Sequence, residues 1–289
     1  MGRLGAARRV ARVLLAAHVY DEFAPKLASQ FHVYGITRRG LGASDKPASG
    51  YSVQRSTDDV FEVVEILKLE KPLLVGNSCA GQVLTFAGAQ HGDQVRGLVY
   101  LDAADDPTLK VADYGVPLID PARLPASIKP APTDDYSSFE AYRIAQRRDH
   151  GVAFPEAELR QLFAAKPDGS MGGVAPSFPA VRKAIVDDNG NIKPRYNAIS
   201  APVLAIFRTP RSFEEFEREF AVRNEEERAA LRQRYEFSQA MVSRWERDIL
   251  EGVPKARIVE LPGANLFMFL SNEADVLREV RAFAGALSR

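Results

Sequence analysis

The sequence has little cysteine, no excess of charge of either sign and no long hydrophobic run. Its 289 residues include a single cysteine, Cys79, which excludes an internal disulfide and a cysteine-based zinc site and fits a reducing compartment. Lysine plus arginine and aspartate plus glutamate each number 38, so no net charge attracts nucleic acid or an anionic membrane. No apolar run approaches the roughly 18 residues that a membrane-spanning helix requires. We therefore expect neither nucleic-acid nor membrane partners.

The start of the chain is basic and leads into a short apolar run. Four arginines lie within residues 1–12, residues 13–17 are apolar, and the first acidic residue is Asp21. A signal peptide begins in a similar way, but its apolar region is usually longer, at about 7–15 residues. We therefore expect a cytoplasmic protein.

Short apolar runs alternate along the chain with longer segments of helical periodicity. The pattern predicts strands at 10–16, 31–36, 72–75, 95–101, 202–207 and 256–261, and helices at 20–29, 56–69, 82–90 and 273–287. Apolar strands flanked by helices are typical of a parallel sheet covered on both faces. We therefore expect an α/β fold with a mostly parallel sheet.

The alternation is interrupted between residues 105 and 198. Prolines are frequent from 117 to 132, a helical pattern follows at 138–148, and residues 167–178, which are rich in Gly, Ser and Pro, are predicted to form a loop. We therefore expect a core formed by residues 10–104 and 199–289, with residues 105–198 inserted as a helical lid. The charged helical segment 212–250 is interpreted as a solvated face.

The sharpest local signal is segment 73–82, which reads Leu-Leu-Val-Gly-Asn-Ser-Cys-Ala-Gly-Gln. A buried strand that ends in Gly-x-Ser-x-Ala before a helix is typical of a nucleophile elbow, here with Ser78 at its tip. Gly76 and Ala80 are both small, as such a tight turn requires. The turn would aim the backbone N–H of Cys79 at a developing oxyanion. A plain glycine-rich turn stays open, because the bare motif occurs by chance in about one such chain in five.

With further blocks, this segment resembles the α/β-hydrolase superfamily. Residues 37–47 (Thr-Arg-Arg-Gly-Leu-Gly-Ala-Ser-Asp-Lys-Pro) are similar to the family's Arg-Gly-x-Gly-x-Ser turn, and residues 97–104 (Gly-Leu-Val-Tyr-Leu-Asp-Ala-Ala) also match. The Ser-x-Ala-Gly form of the elbow resembles a bacterial subgroup of small esterase-like hydrolases. Residues 261–265 and 269–273 resemble the segment that carries the family's catalytic histidine. The resemblance implies an α/β-hydrolase fold and hydrolysis of an ester of a small apolar substrate, with no cofactor or metal.

The resemblance also implies roles for individual residues. Ser78 matches the nucleophile, and Asp102 matches the position that some relatives use for the acid that orients the base. The commoner acid position follows the next strand, where residues 207–210 read Phe-Arg-Thr-Pro and offer no aspartate. Asp105 and Asp106 remain alternatives for the acid, and Asp102 itself could instead cap its own loop.

The chain departs from the family at the base. Leu266 stands where family members carry histidine, and leucine can neither accept nor return a proton. His18 and His150 stay open as substitute bases, whereas His32 and His91 are expected to be structural or solvated.

The second departure is upstream, in the loop that follows the first predicted strand. Residues 14–20 contain no glycine, although relatives use a glycine-containing loop there to supply the second oxyanion N–H. We also expect the antiparallel hairpin that usually opens the fold to be absent. No basic group is predicted beside Cys79, which we interpret as a small apolar filler.

Three functions remain open from the sequence. The first is a serine hydrolase whose turnover is impaired by Leu266. The second is a catalytically inactive relative that binds a small ligand or a partner in the old pocket. The third is a cofactor-free enzyme of different chemistry on the same fold.

Overall fold

A computed structural model describes residues 16–119, 137–175 and 178–287. Its helices are α1 (Ala24–Leu27), α2 (Val53–Ile66), α3 (Gly81–Gln90), α4 (Phe139–His150), α5 (Glu156–Leu162), α6 (Phe178–Gly190), α7 (Phe213–Glu217), α8 (Glu225–Gly252), α9 (Met268–Ser271) and α10 (Glu273–Leu287). Its strands are β1 (Leu73–Asn77), β2 (Gly97–Leu101), β3 (Phe163–Ala165), β4 (Met171–Val174), β5 (Val203–Thr209) and β6 (Arg257–Pro262).

The central sheet consists of four parallel strands in the order β1-β2-β5-β6. Each crossover between neighbouring strands passes through helices, as parallel pairing requires: α3 joins β1 to β2, and α7 with α8 joins β5 to β6. The carboxyl ends of all the strands therefore meet at one edge, where β1 leads into Ser78 and β2 into Asp102.

The two central strands alternate between two apolar cores, as the twofold period of a strand dictates. In β2, Val99 and Leu101 face the core that holds α10 and the chain near Val19, whereas Leu98 and Tyr100 face the core that holds α3 and α8. All residues of β2 are buried. The predicted parallel sheet with helices on both faces is thus confirmed.

The strand predicted for residues 31–36 is wrong. These residues form extended but irregular chain, with the apolar side chains Val33, Tyr34 and Ile36 exposed. Within the described ranges, β1 is an edge strand that pairs only with β2. Residues 31–36 pair with no strand of the sheet. The predicted strand at 10–16 and the region of the opening hairpin lie, except for residue 16, outside the described residues.

The inserted segment, residues 105–198, lies between β2 and β5 and contains α4, α5, α6 and the antiparallel hairpin β3-β4. The hairpin occupies part of the segment that we predicted to be a loop. Several hydrogen bonds connect the segment to the core, including the following three. The Ala16 N–H donates to Glu158 Oε1 over 2.7 Å, and the Val53 N–H donates to Asp188 Oδ2 over 2.7 Å. The third joins Asn189 to the turn at Ser78, as described below.

Side-chain caps fix the starts of the long helices. The hydroxyl of Ser52 accepts the Arg55 N–H at the start of α2, and Asn224 Oδ1 accepts the Glu227 N–H at the start of α8. Three acidic residues occupy the first turn of α8, where they complement the helix dipole. No helix of the described part of the chain is long and apolar enough to cross a membrane.

Candidate active site

Ser78 lies at a sharp turn between β1 and α3. β1 ends at Asn77, a 3₁₀ turn spans Ser78–Ala80, and α3 begins at Gly81. Ser78 has a φ of 51°, in the left-handed region that residues with a side chain rarely adopt. The strained strand-to-helix turn predicted for this segment is therefore present.

Close packing explains the small residues around this turn. A Cβ atom on Gly76 would lie 2.8 Å from the Cβ of Ala80, so these two positions do pass each other closely. The tightest position is Gly81, where an added Cβ would lie 1.7 Å from the backbone oxygen of Ala103. Gly81 is the last residue of the Ser-x-Ala-Gly motif, and the sequence alone did not indicate why glycine is needed there. Its role is to let α3 approach the chain that follows β2.

The turn opens into a cavity of about 40 Å³. The lining residues come from the turn and the start of α3, the loop after β2, α6, the end of β5, α8 and the loop after β6: Ser78, Cys79, Gln82, Asp102, Asp105, Pro107, Val186, Asn189, Gly190, Arg208, Trp245 and Leu266. The predicted residues Ser78 and Asp102 thus share one cavity with Leu266.

Leu266 is held beside the carboxyl end of β1. The amide of Asn77 donates one hydrogen bond to the backbone oxygen of Leu101, over 2.7 Å, and another to that of Leu266, over 2.9 Å. Leu266 is buried and packs within an apolar cluster that includes Phe267. A hydrocarbon side chain with no proton-accepting atom therefore occupies this side of the cavity.

Arg208, at the carboxyl end of β5, holds the carboxylate of Asp102. Arg208 Nε donates to Asp102 Oδ2 over 2.7 Å, and the Arg208 backbone N–H donates to Oδ1 over 3.3 Å. The side chain of Asp102 is 2% exposed, and its backbone has a φ of 47°. Arg208 therefore binds both carboxylate oxygens of Asp102. Arg208 belongs to residues 207–210, the segment in which relatives more commonly carry the acid.

The two alternative acids differ in their surroundings. Asp106 accepts hydrogen bonds at Oδ1 from the N–H and the hydroxyl of Thr108, over 2.9 and 2.6 Å, and so caps its own turn. Asp105 lines the cavity, and its backbone oxygen accepts a hydrogen bond from the hydroxyl of Tyr196.

No described imidazole lines the cavity. His18 binds Asp21 across 3.0 Å at the surface, His32 stacks on Tyr34, and His91 stacks on Phe61. The side chain of His150 lies outside the described residues. The Ser78 hydroxyl donates only a long hydrogen bond, over 3.9 Å, to the sulfur of Cys79.

The backbone N–H groups of Ala16 and Ala17 are not available to an oxyanion. The Ala16 N–H donates to Glu158, and the Ala17 N–H donates over 3.0 Å to the hydroxyl of Thr37. Both donors are therefore used within the fold, in the segment where relatives have the glycine-containing loop. Cys79, whose backbone N–H we predict to bind the oxyanion, follows the serine directly and lines the cavity.

Cys79 packs against a small apolar cluster formed by Leu41, Val181 and Ile185, as expected of a filler. The partly buried guanidinium of Arg38 lies close enough to Cys79 to interact with it electrostatically. Burial lowers the pKa of Arg38, and the negative charges of nearby groups act in the opposite direction. Among the described residues, no group of three or more potential ligands could hold a metal ion.

Comparison with known proteins yields family, sequence and structural matches. The pattern of the alpha/beta hydrolase family matches residues 12–279. "AB hydrolase superfamily protein YisY" of Bacillus subtilis (strain 168) is 29% identical over 182 residues, which cover 61% of this chain and 62% of that protein. The 2-(acetamidomethylene)succinate hydrolase of Mesorhizobium japonicum (strain LMG 29417 / CECT 9101 / MAFF 303099) is 31% identical over 84 residues, 29% of this chain and 30% of that one. The matched region thus spans less than two thirds of either relative.

Solved structures resemble nearly the whole chain. That of E-2-(acetamidomethylene)succinate hydrolase has a TM-score of 0.62 at 18% identity and covers 94% of this chain and 88% of its own. A structure titled "Marine microorganism esterase" has a TM-score of 0.57 at 16% identity, with 93% and 90% covered. At such identities the likeness concerns the fold alone.

Proposed function

The chain belongs to the alpha/beta hydrolase family, and on that premise we propose that it is a serine hydrolase of the carboxylic-ester type, impaired because Leu266 replaces the base. One observation carries the proposal: Ser78, at the strained turn after β1, opens into the same cavity as Asp102 and Leu266. The substrate is a small acyl compound whose apolar part lies against Val186, Trp245 and Leu266. The inserted segment acts as its lid.

In this reaction the Ser78 hydroxyl attacks the carbonyl carbon of the ester. The carbonyl π electrons move onto oxygen, and the N–H of Cys79 stabilises the resulting oxyanion. Collapse of the tetrahedral intermediate expels the alcohol and leaves an acyl group on Ser78, which water then removes. Both halves of the reaction need a group that takes a proton from the attacking oxygen and gives it to the leaving one.

That proton transfer is the impaired step. Loss of the histidine costs about 10⁶ in turnover in enzymes of this kind, and loss of one oxyanion donor costs about 10²–10³. These two rate losses cannot simply be multiplied, because the effects of residues that act together are not additive. Asp102 would orient an imidazole at position 266, but its carboxylate is bound to Arg208 instead.

A second candidate is a catalytically inactive protein that binds a small ligand in the same cavity. The Asp102–Arg208 ion pair favours it, because the pair gives the cavity a fixed polar wall without any group able to relay a proton. The two candidates differ in whether Ser78 can be acylated at all.

A fluorophosphonate probe tests the proposal, because it reacts with an activated serine hydroxyl. We expect slow labelling of the unmodified chain, faster labelling of Leu266→His and none at position 78 in Ser78→Ala. Intact-mass and peptide mass spectrometry give the rate and the labelled residue. Rapid labelling of the unmodified chain at Ser78 would contradict the impairment, because another group must then act as base. If Leu266→His is folded and its Ser78 stays unlabelled, the binding protein is the better description.

A further inference from the structure

The cavity at Ser78 is closed to organic molecules. Its volume of about 40 Å³ leaves room for about three water molecules. Pockets that bind small molecules are much larger, at about 300–1,000 Å³. An ester, or any ligand of similar size, can therefore reach Ser78 only if part of the cavity wall moves.

Helix α6 forms one part of this wall, through Val186, Asn189 and Gly190. Other parts of the lining are fixed to the sheet, because Leu266 and Trp245 of α8 are packed in its two large apolar cores. Displacing either residue would disrupt a core that supports the whole sheet.

The apolar packing of α6 is separate from these two cores. Its buried residues Val181 and Ile185 form a small cluster with Leu41, against which Tyr51 and Cys79 pack. A helix that buries so little apolar surface can leave its place at a lower free-energy cost than an element of the main core. Of these parts of the wall, α6 is therefore the one that moves with the smallest loss of packing.

Two adjacent residues near the end of α6 hold it over the turn at Ser78. Asp188 Oδ2 accepts the N–H of Val53 over 2.7 Å. Val53 is the first residue of α2, so its N–H has no partner inside that helix, and the helix dipole favours a carboxylate at this end. Asn189 Nδ2 donates to the backbone oxygen of Cys79 over 3.2 Å. These bonds connect α6 to the start of α2 and to the residue that follows Ser78.

We propose that α6 is a strap that closes the cavity, and that the hydrogen bonds of Asp188 and Asn189 must break before a ligand can reach Ser78. In the released state the part of the wall formed by α6 is withdrawn and the cavity opens to solvent. This inference goes beyond the proposed function, because the closure holds equally for a hydrolase and for a protein that only binds a ligand.

The single thiol of the chain reports on the strap in the unmodified protein. Cys79 lines the cavity and packs against the cluster that contains Ile185 of α6, so a bulky thiol reagent needs the room that release of α6 provides. We expect 4,4′-dithiodipyridine to react with the folded chain at least about tenfold more slowly than with the chain unfolded in urea. The absorbance of the released pyridinethione gives both rates. A smaller difference would overturn the proposal, because the cavity would then be open.

Asp188→Ala removes the carboxylate that holds Val53. We expect Cys79 of this variant to react at least about tenfold faster than in the unmodified chain, as the loss of a hydrogen bond to a charged group allows. Asp188→Asn keeps an oxygen that can accept the Val53 N–H and should react at an intermediate rate. Asp187→Ala is the matched control, because Asp187 is exposed and pairs with Lys183 of α6 itself. An unchanged rate in folded Asp188→Ala would overturn the proposal.

Loss of Asp188 also changes the charge around Arg38, which interacts electrostatically with both Asp188 and Cys79. Each rate is therefore measured from about pH 6 to 9, and the rate constants of the thiolate itself are compared, so that a changed thiol pKa cannot imitate release. Val181→Ala weakens the apolar contact of α6 without altering a charge. We expect it to accelerate the reaction at least about threefold. No acceleration in the folded variant would contradict the strap, whether or not Asp188→Ala folds.

The outcome at Cys79 is separate from the outcome at Ser78. If the thiol rates follow the expectation but no variant of the chain is ever labelled by the fluorophosphonate, the proposed hydrolase activity fails and the strap stands. If labelling of Ser78 proceeds as expected but Cys79 of the folded chain reacts as fast as in the unfolded chain, only the strap is overturned.

Discussion

Arg208 donates a hydrogen bond from Nε to Oδ2 of Asp102 over 2.7 Å, so a guanidinium is bound to the carboxylate that the family resemblance assigns to orienting the base. The carboxylate is nearly inaccessible, at 2% exposed, whereas the arginine side chain is 35% exposed. The pair therefore stands where the resemblance leads us to expect a contact between an acid and an imidazole. Asp102, Arg208 and Leu266 line the same cavity.

Removal of the guanidinium should leave Asp102 buried with an uncompensated charge. We expect Arg208→Leu to lower the free energy of unfolding by about 1–3 kcal/mol, the range for a lost hydrogen bond to a charged group, with some screening because Arg208 is partly exposed. Urea denaturation at neutral pH measures this change in the free energy of unfolding. Arg218→Leu is a control, because Arg218 is exposed and forms no ion pair with any other described residue.

A double variant separates the pair from the side chains that form it. Asp102→Asn combined with Arg208→Leu removes the unpaired charge, so we expect it to be more stable than Arg208→Leu alone. If the two single substitutions simply add, the hydrogen bond contributes no coupling energy and the pair does not stabilise the fold.

Gly81 should tolerate no side chain. An alanine there would bring its Cβ against the backbone oxygen of Ala103, at a separation of 1.7 Å before relaxation, and backbone cannot turn aside as a flexible side chain can. We expect Gly81→Ala to destabilise the fold by at least about 2 kcal/mol. Gly285→Ala is the matched control: an added Cβ finds no atom within 4 Å in α10, and the fold should gain about 0.5–1 kcal/mol. Thermal unfolding of both variants checks the contrast.

Much of the fold follows from local pattern. β2 and β5 could be predicted because buried parallel strands are apolar at nearly every position, and the turn at Ser78 because its small residues meet a local steric demand. Residues 31–36 show the limit of the same pattern. An apolar run indicates that a segment could form a strand. The strand forms only beside a neighbouring strand, whose presence depends on the rest of the chain.

The contacts that define the cavity could not be predicted in this way. Arg208 and Asp102 lie 106 positions apart, and Asn189 and Cys79 lie 110 positions apart. Nothing local marks Gln82 as different from any other polar residue at the start of a helix. Asn189 reaches the cavity because α6 packs over the turn at Ser78, where Val181 and Ile185 contact Leu41 and Cys79.

Glu158 predicts a dependence of stability on pH. Burial raises the pKa of its carboxyl group from 4.5 to about 7, although the N–H groups of Ala16 and Val19 and the nearby His18 favour the charged form; Asp21 disfavours it. The folded state therefore binds this proton more tightly than the unfolded state does. Its contribution to stability is fully present below about pH 4.5, is lost as the pH rises to about 7 and is constant above that, a change of about 3 kcal/mol at most.

Glu158→Gln tests this linkage, because it keeps an oxygen that accepts the Ala16 N–H and cannot ionise. We expect the variant to melt about 3–8 °C above the unmodified chain at pH 8 and to lose the difference near pH 5. Glu156→Gln, an exposed position at the start of the same helix, should show no such crossover. A pH-independent difference between Glu158→Gln and the unmodified chain would mean that Glu158 does not titrate in this range.

Leu266→His should restore part of the missing proton transfer. An imidazole at this position would share the cavity with the Ser78 hydroxyl, so we expect the turnover of p-nitrophenyl butyrate to rise at least about tenfold over a near-background rate. The rate should increase as the pH passes about 6.5, because only the neutral imidazole accepts the serine proton. Complete recovery is not expected, since Arg208 holds Asp102 and the N–H groups of Ala16 and Ala17 are already used.

Two controls make the gain from Leu266→His interpretable. Leu270→His introduces an imidazole into α9, outside the cavity lining, and should give no increase. Ser78→Ala combined with Leu266→His should return turnover to background, because a free imidazole can hydrolyse activated esters without the serine. If the gain survives this double change, the imidazole itself attacks the ester. If a folded Leu266→His protein shows no gain, the impairment cannot be attributed to Leu266, and the proposal is contradicted.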